Sequence, residues 1–238
     1  MRVALFVPCY IDQLYPKVAV ATLELLEKLG CEVVYPLDQT CCGQPMANAG
    51  FEDDGHAALH LFEKNFEGFE HIVAPSGSCV LHVKEHGAHG LKDRIFELAE
   101  FLVDVLKVKK LDARFAHRVG LHESCHGLRG LRLGVSSERN EPAYSKVRYL
   151  LNLVEGIELV DLDRRDECCG FGGTFCVKYP DISNNMVSRK MADAVSTGAP
   201  CLVAGDLGCI LNMEGKAHRD GMDIEVIHFA ELLTRSER

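Results

Sequence analysis

The sequence predicts an α/β protein made of two duplicated α/β domains, each a parallel sheet with crossover helices. Short apolar runs alternate with amphipathic stretches, the same order of segments occurs twice, and Cys-Cys-Gly stands near the middle of each copy, at 41–43 and 168–170. Two copies indicate a duplicated domain and not a solenoid. We predict domains over 1–110 and 118–238, with a charged linker from about 107 to 117.

The first copy begins with a short apolar run that is typical of a buried parallel strand. A stretch with helical spacing follows, with Pro16 in its first turn and Gly30 as its stop signal. The predicted elements are, in order, a strand at 2–8, a helix at 16–29, a strand at 32–35, a helix at about 52–66 and a strand at 71–74, before a Ser-Gly-Ser-Cys turn.

The second copy repeats this alternation of strands and helices. Its predicted elements are a strand near 118–122, a helix near 142–154, a strand at 157–162, a helix at 181–197 and a strand at 201–204. The two copies also end alike, with Phe-Glu-Leu-Ala-Glu-Phe-Leu from Phe96 and His-Phe-Ala-Glu-Leu-Leu from His228.

Composition excludes several classes of protein. The chain has 238 residues, 11 cysteines and a formal net charge of -9, and no dense lysine or arginine cluster that would follow a nucleic-acid backbone. The amino terminus is too brief for a secretory signal, and no apolar run approaches a membrane span. We expect a cytoplasmic protein without direct membrane insertion. In the reducing cytoplasm, thiols hold metals more often than they form disulfides.

Eight of the cysteines follow one duplicated pattern. In each half, one cysteine lies just after the first strand, a pair follows the second strand, and a fourth lies just after the third strand. Ligands of open parallel sheets bind outside the carboxyl ends of the strands, so each half should gather four thiolates at one point. Soft thiolates select iron–sulfur clusters or zinc. The predicted ligands are Cys9, Cys41, Cys42 and Cys79 in the first half, and Cys125, Cys168, Cys169 and Cys209 in the second.

Three cysteines lie outside this pattern. Cys31 and Cys201 stand at the amino ends of predicted strands, the wrong end for the site, so we expect both to pack in the core. Cys176 is predicted to be a bystander near the second site.

Glycines and histidines near the cysteines are predicted to serve the cofactor. Gly43 and Gly170 let the backbone come close to sulfur ligands or turn with positive φ. Gly172 and Gly173 belong to a loop whose amides could donate N–H···S bonds, or simply form a turn. His122, Glu123 and His126 flank Cys125. For the two histidines, a hydrogen bond to a metal ligand or a contact with substrate is favoured over direct binding of the metal.

Other polar residues receive a structural interpretation. Ser76 and Asp206 stand three residues before Cys79 and Cys209, where a turn or helix-cap role is expected, with weak ligation as the alternative. A further group of histidines on or near predicted helices is expected at the solvated surface: His56, His60, His82, His86 and His89.

Four strings of residues resemble the CCG-domain, or cysteine-rich domain, family. They are Cys-Cys-Gly-Gln-Pro at 41–45, Pro-Ser-Gly-Ser-Cys at 75–79, Ser-Cys-His at 124–126 and Cys-Cys-Gly-Phe-Gly-Gly-Thr-Phe at 168–175. That family includes one of the subunits of heterodisulfide reductase and the iron–sulfur subunits of glycolate oxidase and anaerobic glycerol-3-phosphate dehydrogenase. The resemblance covers essentially the whole chain and is closer to the free-standing two-domain members that serve lactate utilization.

The resemblance implies an iron–sulfur electron-transfer subunit of a complex that oxidises L-lactate to pyruvate. It implies two partner proteins, one of them a second iron–sulfur protein, and any membrane association would come through partners. In heterodisulfide reductase each motif holds a noncubane four-iron cluster through five cysteines that end in CxxC. Here Ser76 and Asp206 replace the first cysteine of that CxxC. The chain could therefore hold one cluster or two, and each could be a conventional 4Fe-4S cluster or a noncubane cluster.

Two other functions stay open. The chain could be a thiol or disulfide reductase subunit that uses a cluster as its catalytic centre. It could also be a structural subunit in which zinc, held by one or both thiol sets, stabilises the fold. If the chain contacts lactate, the first candidates are His122, His126 and Arg129, because a carboxylate favours the planar guanidinium.

Overall fold

The computed structural model describes residues 1–88 and 90–236, and two compact units divide the chain, Met1–Lys107 and Val108–Arg238. Each unit holds a four-stranded sheet in which every pairing is parallel, with helices between the strands. The predicted α/β fold of two duplicated domains is therefore confirmed.

The sheet of the first unit has the strand order β2-β1-β3-β4. Its strands are β1 (Arg2–Leu5), β2 (Glu32–Val34), β3 (Ile72–Ala74) and β4 (Ile95–Glu97). The register places Ala4 beside both Val34 and Ile72. The central strand β3 is buried along its whole length, as expected for a parallel strand that is covered on both faces.

The helices of the first unit are α1 (Cys9–Leu14), α2 (Pro16–Lys28), α3 (Gln44–Ala49), α4 (Glu52–Asn65), α5 (Gly77–His86) and α6 (Leu98–Glu100), with a 3-10 turn at Leu91–Asp93 and a π-helical turn at Phe101–Val105. Helix α4 packs on the sheet through aromatic rings. The ring of Phe6 lies 4.8 Å from that of Phe62 and 5.7 Å from that of Phe66, centroid to centroid.

The second unit repeats the topology with the strand order β6-β5-β7-β8. Its strands are β5 (Arg118–His122), β6 (Glu158–Val160), β7 (Cys201–Ala204) and β8 (Glu225–His228). Its helices are α7 (Lys146–Leu151), α8 (Phe175–Lys178), α9 (Pro180–Ser196), α10 (Leu207–Asp220) and α11 (Phe229–Thr234), with a π-helical turn at His126–Gly130 and a 3-10 turn at Ser137–Arg139.

The sequence prediction missed several elements, among them β4, β8, α5 and α10. The strands β4 and β8 run directly into α6 and α11, so their apolar residues merge with a helical pattern. The turn predicted at 76–79 is the start of α5, with Ser76 at its N-cap. The helix predicted at 142–154 is shorter, because the Ser145 hydroxyl caps it by accepting a bond from the Arg148 amide at 3.1 Å.

The charged segment after Lys107 packs within the second unit. Val108, Leu111 and Phe115 are buried there. The amide of Phe115 donates a 2.9 Å hydrogen bond to the carbonyl oxygen of Glu155. The domain limits 1–110 and 118–238 stay a prediction.

None of the helices within residues 1–88 and 90–236 combines the length and the apolar character needed to cross a bilayer.

Candidate metal centres

The first thiol cluster forms at the carboxyl edge of the first sheet. Cys9 opens α1 after β1, the pair Cys41 and Cys42 precedes α3, and Cys79 lies in the first turn of α5. The Sγ atoms of Cys9 and Cys41 are 3.7 Å apart. Cys42 lies within hydrogen-bonding reach of both Cys41 and Cys79. Three distant segments thus bring four thiols into one continuous chain of contacts.

The second thiol cluster has the same arrangement. Cys125 precedes the π-helical turn after β5, and Cys209 lies in the first turn of α10 after β7. Cys168 is in hydrogen-bonding reach of Cys125 and Cys169, and Cys169 is also in reach of Cys209. The structure therefore gathers all eight cysteines of the duplicated pattern into two groups of four. Their role as metal ligands stays a prediction.

Each cluster contains one strongly acidic thiol. Hydrogen bonds from Cys42 and Cys9 lower the pKa of Cys41 to about 3. Hydrogen bonds from Cys125 and Cys169 lower the pKa of Cys168 to about 2. A thiolate at the middle of each group is the form of sulfur that binds metals.

The first glycine after each cysteine pair donates to the acidic thiol. The amide of Gly43 lies 3.5 Å from the Sγ of Cys41, and the amide of Gly170 lies 3.3 Å from the Sγ of Cys168. Both glycines have positive φ, 93° and 82°. The glycines permit the left-handed turn that aims each amide at a sulfur.

Gly172 and Gly173 form a turn ahead of α8. Their φ values are 54° and 61°, and a side chain on Gly172 would meet the Cβ of Phe175 at 2.8 Å. The carbonyl oxygen of Gly173 accepts a 3.1 Å bond from the thiol of Cys176. The turn interpretation is thus seen, and cofactor contact at these two glycines stays a prediction.

His122 lies beside the second cluster. One of its ring nitrogens and the Sγ atoms of Cys169 and Cys209 all lie within 4.8 Å of one another. Burial, and then the charge of Lys190, lower the pKa of His122 to about 3, so the ring is neutral. Among the described residues, neither ring nitrogen has a hydrogen-bond partner.

His126 and Arg129 lie in the π-helical turn that follows Cys125. His126 is half-buried. The guanidinium of Arg129 forms ion pairs with Glu138 and Asp166, the second at 3.5 Å. Arg129 is therefore engaged by carboxylates of its own unit, which weakens it as a candidate for binding lactate.

A model of the cysteine-rich (CCG) domain matches residues 3–84 and 119–214, two segments that include all eight clustered cysteines. The chain belongs to the cysteine-rich (CCG) domain family. Each matched segment contains one Cys-Cys-Gly motif and the strand-end cysteines on either side of it.

Several proteins named lactate utilization protein A match this chain over nearly its whole length. Lactate utilization protein A of Exiguobacterium sp. is 43% identical, over 98% of this chain and 96% of the relative. The proteins of that name from Oceanobacillus iheyensis and Bacillus subtilis are 39% and 40% identical, over 98% of this chain and 96% and 99% of theirs.

The donors of this CCG protein fit a soft metal ion or cluster. Each unit offers one thiolate, three further thiols and an amide N–H aimed at sulfur, which is the chemistry that iron–sulfur and zinc sites use. In the second unit, the nitrogens of buried His122, which find no partner within the described part of the chain, add a donor that a metal would satisfy. The cysteine-rich domains are thus suited to binding a metal or cluster.

Two of the cysteines outside the pattern, Cys31 and Cys201, lie in the core as predicted. Cys31 and Cys201 are buried at the amino ends of β2 and β7. Burial raises the pKa of both thiols, that of Cys201 to about 12, so both are neutral core groups. Cys176 is half-buried on α8.

Ser76 and Asp206 stand at the N-caps of α5 and α10. A carboxylate oxygen of Asp206 accepts a 3.1 Å bond from the amide of Gly208, so the expected cap is seen there. Among the described residues, the Ser76 side chain makes no capping bond, and its Oγ lies 3.5 Å from that of Ser78.

One surface prediction was wrong. His82 is only 7% exposed, because it faces inward from α5, one turn after Cys79. Burial, followed by the neighbouring His86, lowers the pKa of His82 to about 4. His56, His60 and His86 are exposed as predicted, and His89 lies outside the described residues. The three-residue spacing from Cys79 was the signal that could have identified His82.

Lys190 was also missed. Its side chain is fully buried in α9, and its Nζ donates a hydrogen bond to the carbonyl oxygen of Arg164. Burial lowers the pKa of Lys190, while nearby carboxylates, among them Asp193 and Glu167, oppose that shift. Nothing in the sequence marks this lysine, because a charge on an amphipathic helix is expected at the solvated face.

Proposed function

We propose that this chain is the iron–sulfur electron-transfer subunit of a complex that oxidises L-lactate to pyruvate. The observation that carries the proposal is the gathering of four thiols in each unit, at the carboxyl edge of each sheet, with one thiolate at the centre. The near-full-length likeness to proteins named lactate utilization protein A supports the pathway.

The eight cysteines would hold the clusters, and the glycine amides would tune them. When bound, an iron–sulfur cluster supplies one-electron chemistry. The amides of Gly43 and Gly170 donate toward Cys41 and Cys168, and such N–H···S bonds favour the more electron-rich state. Burial of Cys42 and Cys169 keeps water from that side of each thiol group.

The proposed setting is the cytoplasm, with two partner proteins, one of them a second iron–sulfur protein. Oxidation of lactate releases two electrons and two protons. The electrons would pass one at a time through this chain toward an acceptor such as a quinone. We also propose 1–110 and 118–238 as the two domains of the subunit.

Metal and sulfide analysis of anaerobically purified protein tests the proposal. We expect iron and acid-labile sulfide, with an EPR signal that changes on dithionite reduction. Each of Cys41→Ser and Cys168→Ser should remove about half of the iron. Cys31→Ala and Cys201→Ala are matched controls, since each removes a buried thiol outside the clusters. Zinc without sulfide, or iron that is indifferent to the site variants, would contradict the proposal.

The lactate pathway needs a separate experiment. The chain is combined anaerobically with its two partners, and L-lactate or a disulfide is offered as the redox partner. We expect L-lactate to change the EPR signal of this chain only when the partners are present. Disulfide turnover without any response to L-lactate would favour the thiol–disulfide reductase function instead.

A further inference from the structure

The two units differ at one position beside the cysteines. Phe6 stands three residues before Cys9, and His122 stands three residues before Cys125. Both side chains are almost completely buried, at 0% and 1% exposure. The first unit therefore places an apolar ring where the second unit places an imidazole.

A second exchange accompanies the first. A Cβ on Gly43 would meet the carbonyl oxygen of Gly55 in α4, and a Cβ on Gly170 would meet that of Ser183 in α9. This shared contact identifies Gly55 of α4 and Ser183 of α9 as equivalent positions. Seven residues after Gly55 stands Phe62, and seven after Ser183 stands Lys190. By sequence position, Phe6 and Phe62 of the first unit thus correspond to His122 and Lys190 of the second.

Packing does not explain the imidazole of His122. Leaving a buried polar atom without a partner costs about 1–3 kcal/mol. Among the described residues both nitrogens of His122 are in that state, while Phe6 packs edge-on against Phe62 at the matching place. An imidazole that faces two thiols within 4.8 Å has the arrangement of a metal ligand.

Lys190 is fully buried in α9, and its Nζ donates a hydrogen bond to the carbonyl oxygen of Arg164. His122 is therefore the side chain that the structure places against the thiols of this unit.

We propose that His122 directly ligates the cluster of the second unit beside Cys169 and Cys209. This inference rests on the proposed iron–sulfur function. Both units offer four thiols, so the imidazole replaces no thiolate and adds a neutral donor that the first unit lacks.

Pulsed EPR tests the ligation directly. The full chain with Cys41→Ser isolates the second centre, and the protein is grown with ¹⁵N-histidine or with natural nitrogen. We expect a strongly coupled histidine nitrogen that changes from a ¹⁴N to a ¹⁵N pattern. This measurement needs no change at His122, so folding defects do not affect it. Iron and sulfide without a coupled histidine nitrogen would overturn this inference and leave the proposed function standing.

Two variants show which histidine is the ligand. We expect His122→Phe, which installs the residue of the first unit, to lose the nitrogen coupling while the four cysteines keep iron and sulfide. His218→Phe, a change at an exposed histidine of α10, is the control and should keep the coupling. A coupling that persists in His122→Phe would overturn the inference, and zinc without sulfide would overturn the proposed function as well.

Discussion

A Cβ atom on Gly43 would lie 2.5 Å from the carbonyl oxygen of Gly55, a distance that no real side chain tolerates. The same relationship recurs in the second unit, where a Cβ on Gly170 would lie 2.9 Å from the carbonyl oxygen of Ser183. The glycine of each Cys-Cys-Gly motif is therefore required by the close approach of a helix, in addition to its positive φ.

The first prediction concerns Gly43→Ala. We expect a loss of about 2–5 kcal/mol in the free energy of unfolding, from left-handed backbone strain and from overpacking against α4. Gly68→Ala is the matched control, because Gly68 also has positive φ (79°) but open space around its Cβ position. Anaerobic chemical denaturation measures both. Equal losses in the two variants would show that the contact with Gly55 is unimportant.

The second prediction concerns the aromatic cluster under the first sheet. Phe62 is fully buried between Phe6 and Phe66, with ring centroids 4.8 and 4.5 Å away. Phe62→Ala should cost about 3–5 kcal/mol, because it leaves a cavity that rigid neighbours cannot fill. Leu37→Ala, at an 87% exposed residue, should change stability by less than about 0.5 kcal/mol. Thermal unfolding followed by circular dichroism compares them, and a tolerated Phe62→Ala would refute the packing argument.

The third prediction separates capping from ligation at Asp206. Asp206→Ala should cost about 1 kcal/mol, because the Gly208 amide loses its acceptor, and Asp206→Asn should recover most of that loss. Ser76→Ala, at the matching N-cap that lacks a described capping bond, should cost less. The thermal midpoint reports these effects. A change in the EPR spectrum of Asp206→Asn would instead identify the carboxylate as a ligand.

The fourth prediction concerns removal of the metal. Because the thiols meet only in the folded chain, the free energy of cluster binding adds to the stability of each unit. Anaerobic calorimetry should show a lower midpoint for apoprotein than for reconstituted protein. In Cys41→Ser, reconstitution should stabilise the second unit alone. A midpoint that does not depend on iron would contradict this coupling between binding and folding.

The sequence predicted the fold class and the thiol groups because both depend on local order. Alternating apolar runs identify parallel strands, and cysteines placed after those strands must meet at one edge of the sheet. The final strands β4 and β8 escaped prediction because each continues without a break into a helix. His82 escaped because a helix has two faces, and only packing decides which one is buried.

By itself, the sequence determined the duplication, the two sets of four thiols and the family of this chain. Only the tertiary structure decided that His122 lies beside Cys169 and Cys209, and that Lys190 is buried in α9. The physical reason is that burial and proximity arise when distant segments pack together. Spacing along the chain specifies which residues are available, and packing specifies which of them share one low-dielectric pocket.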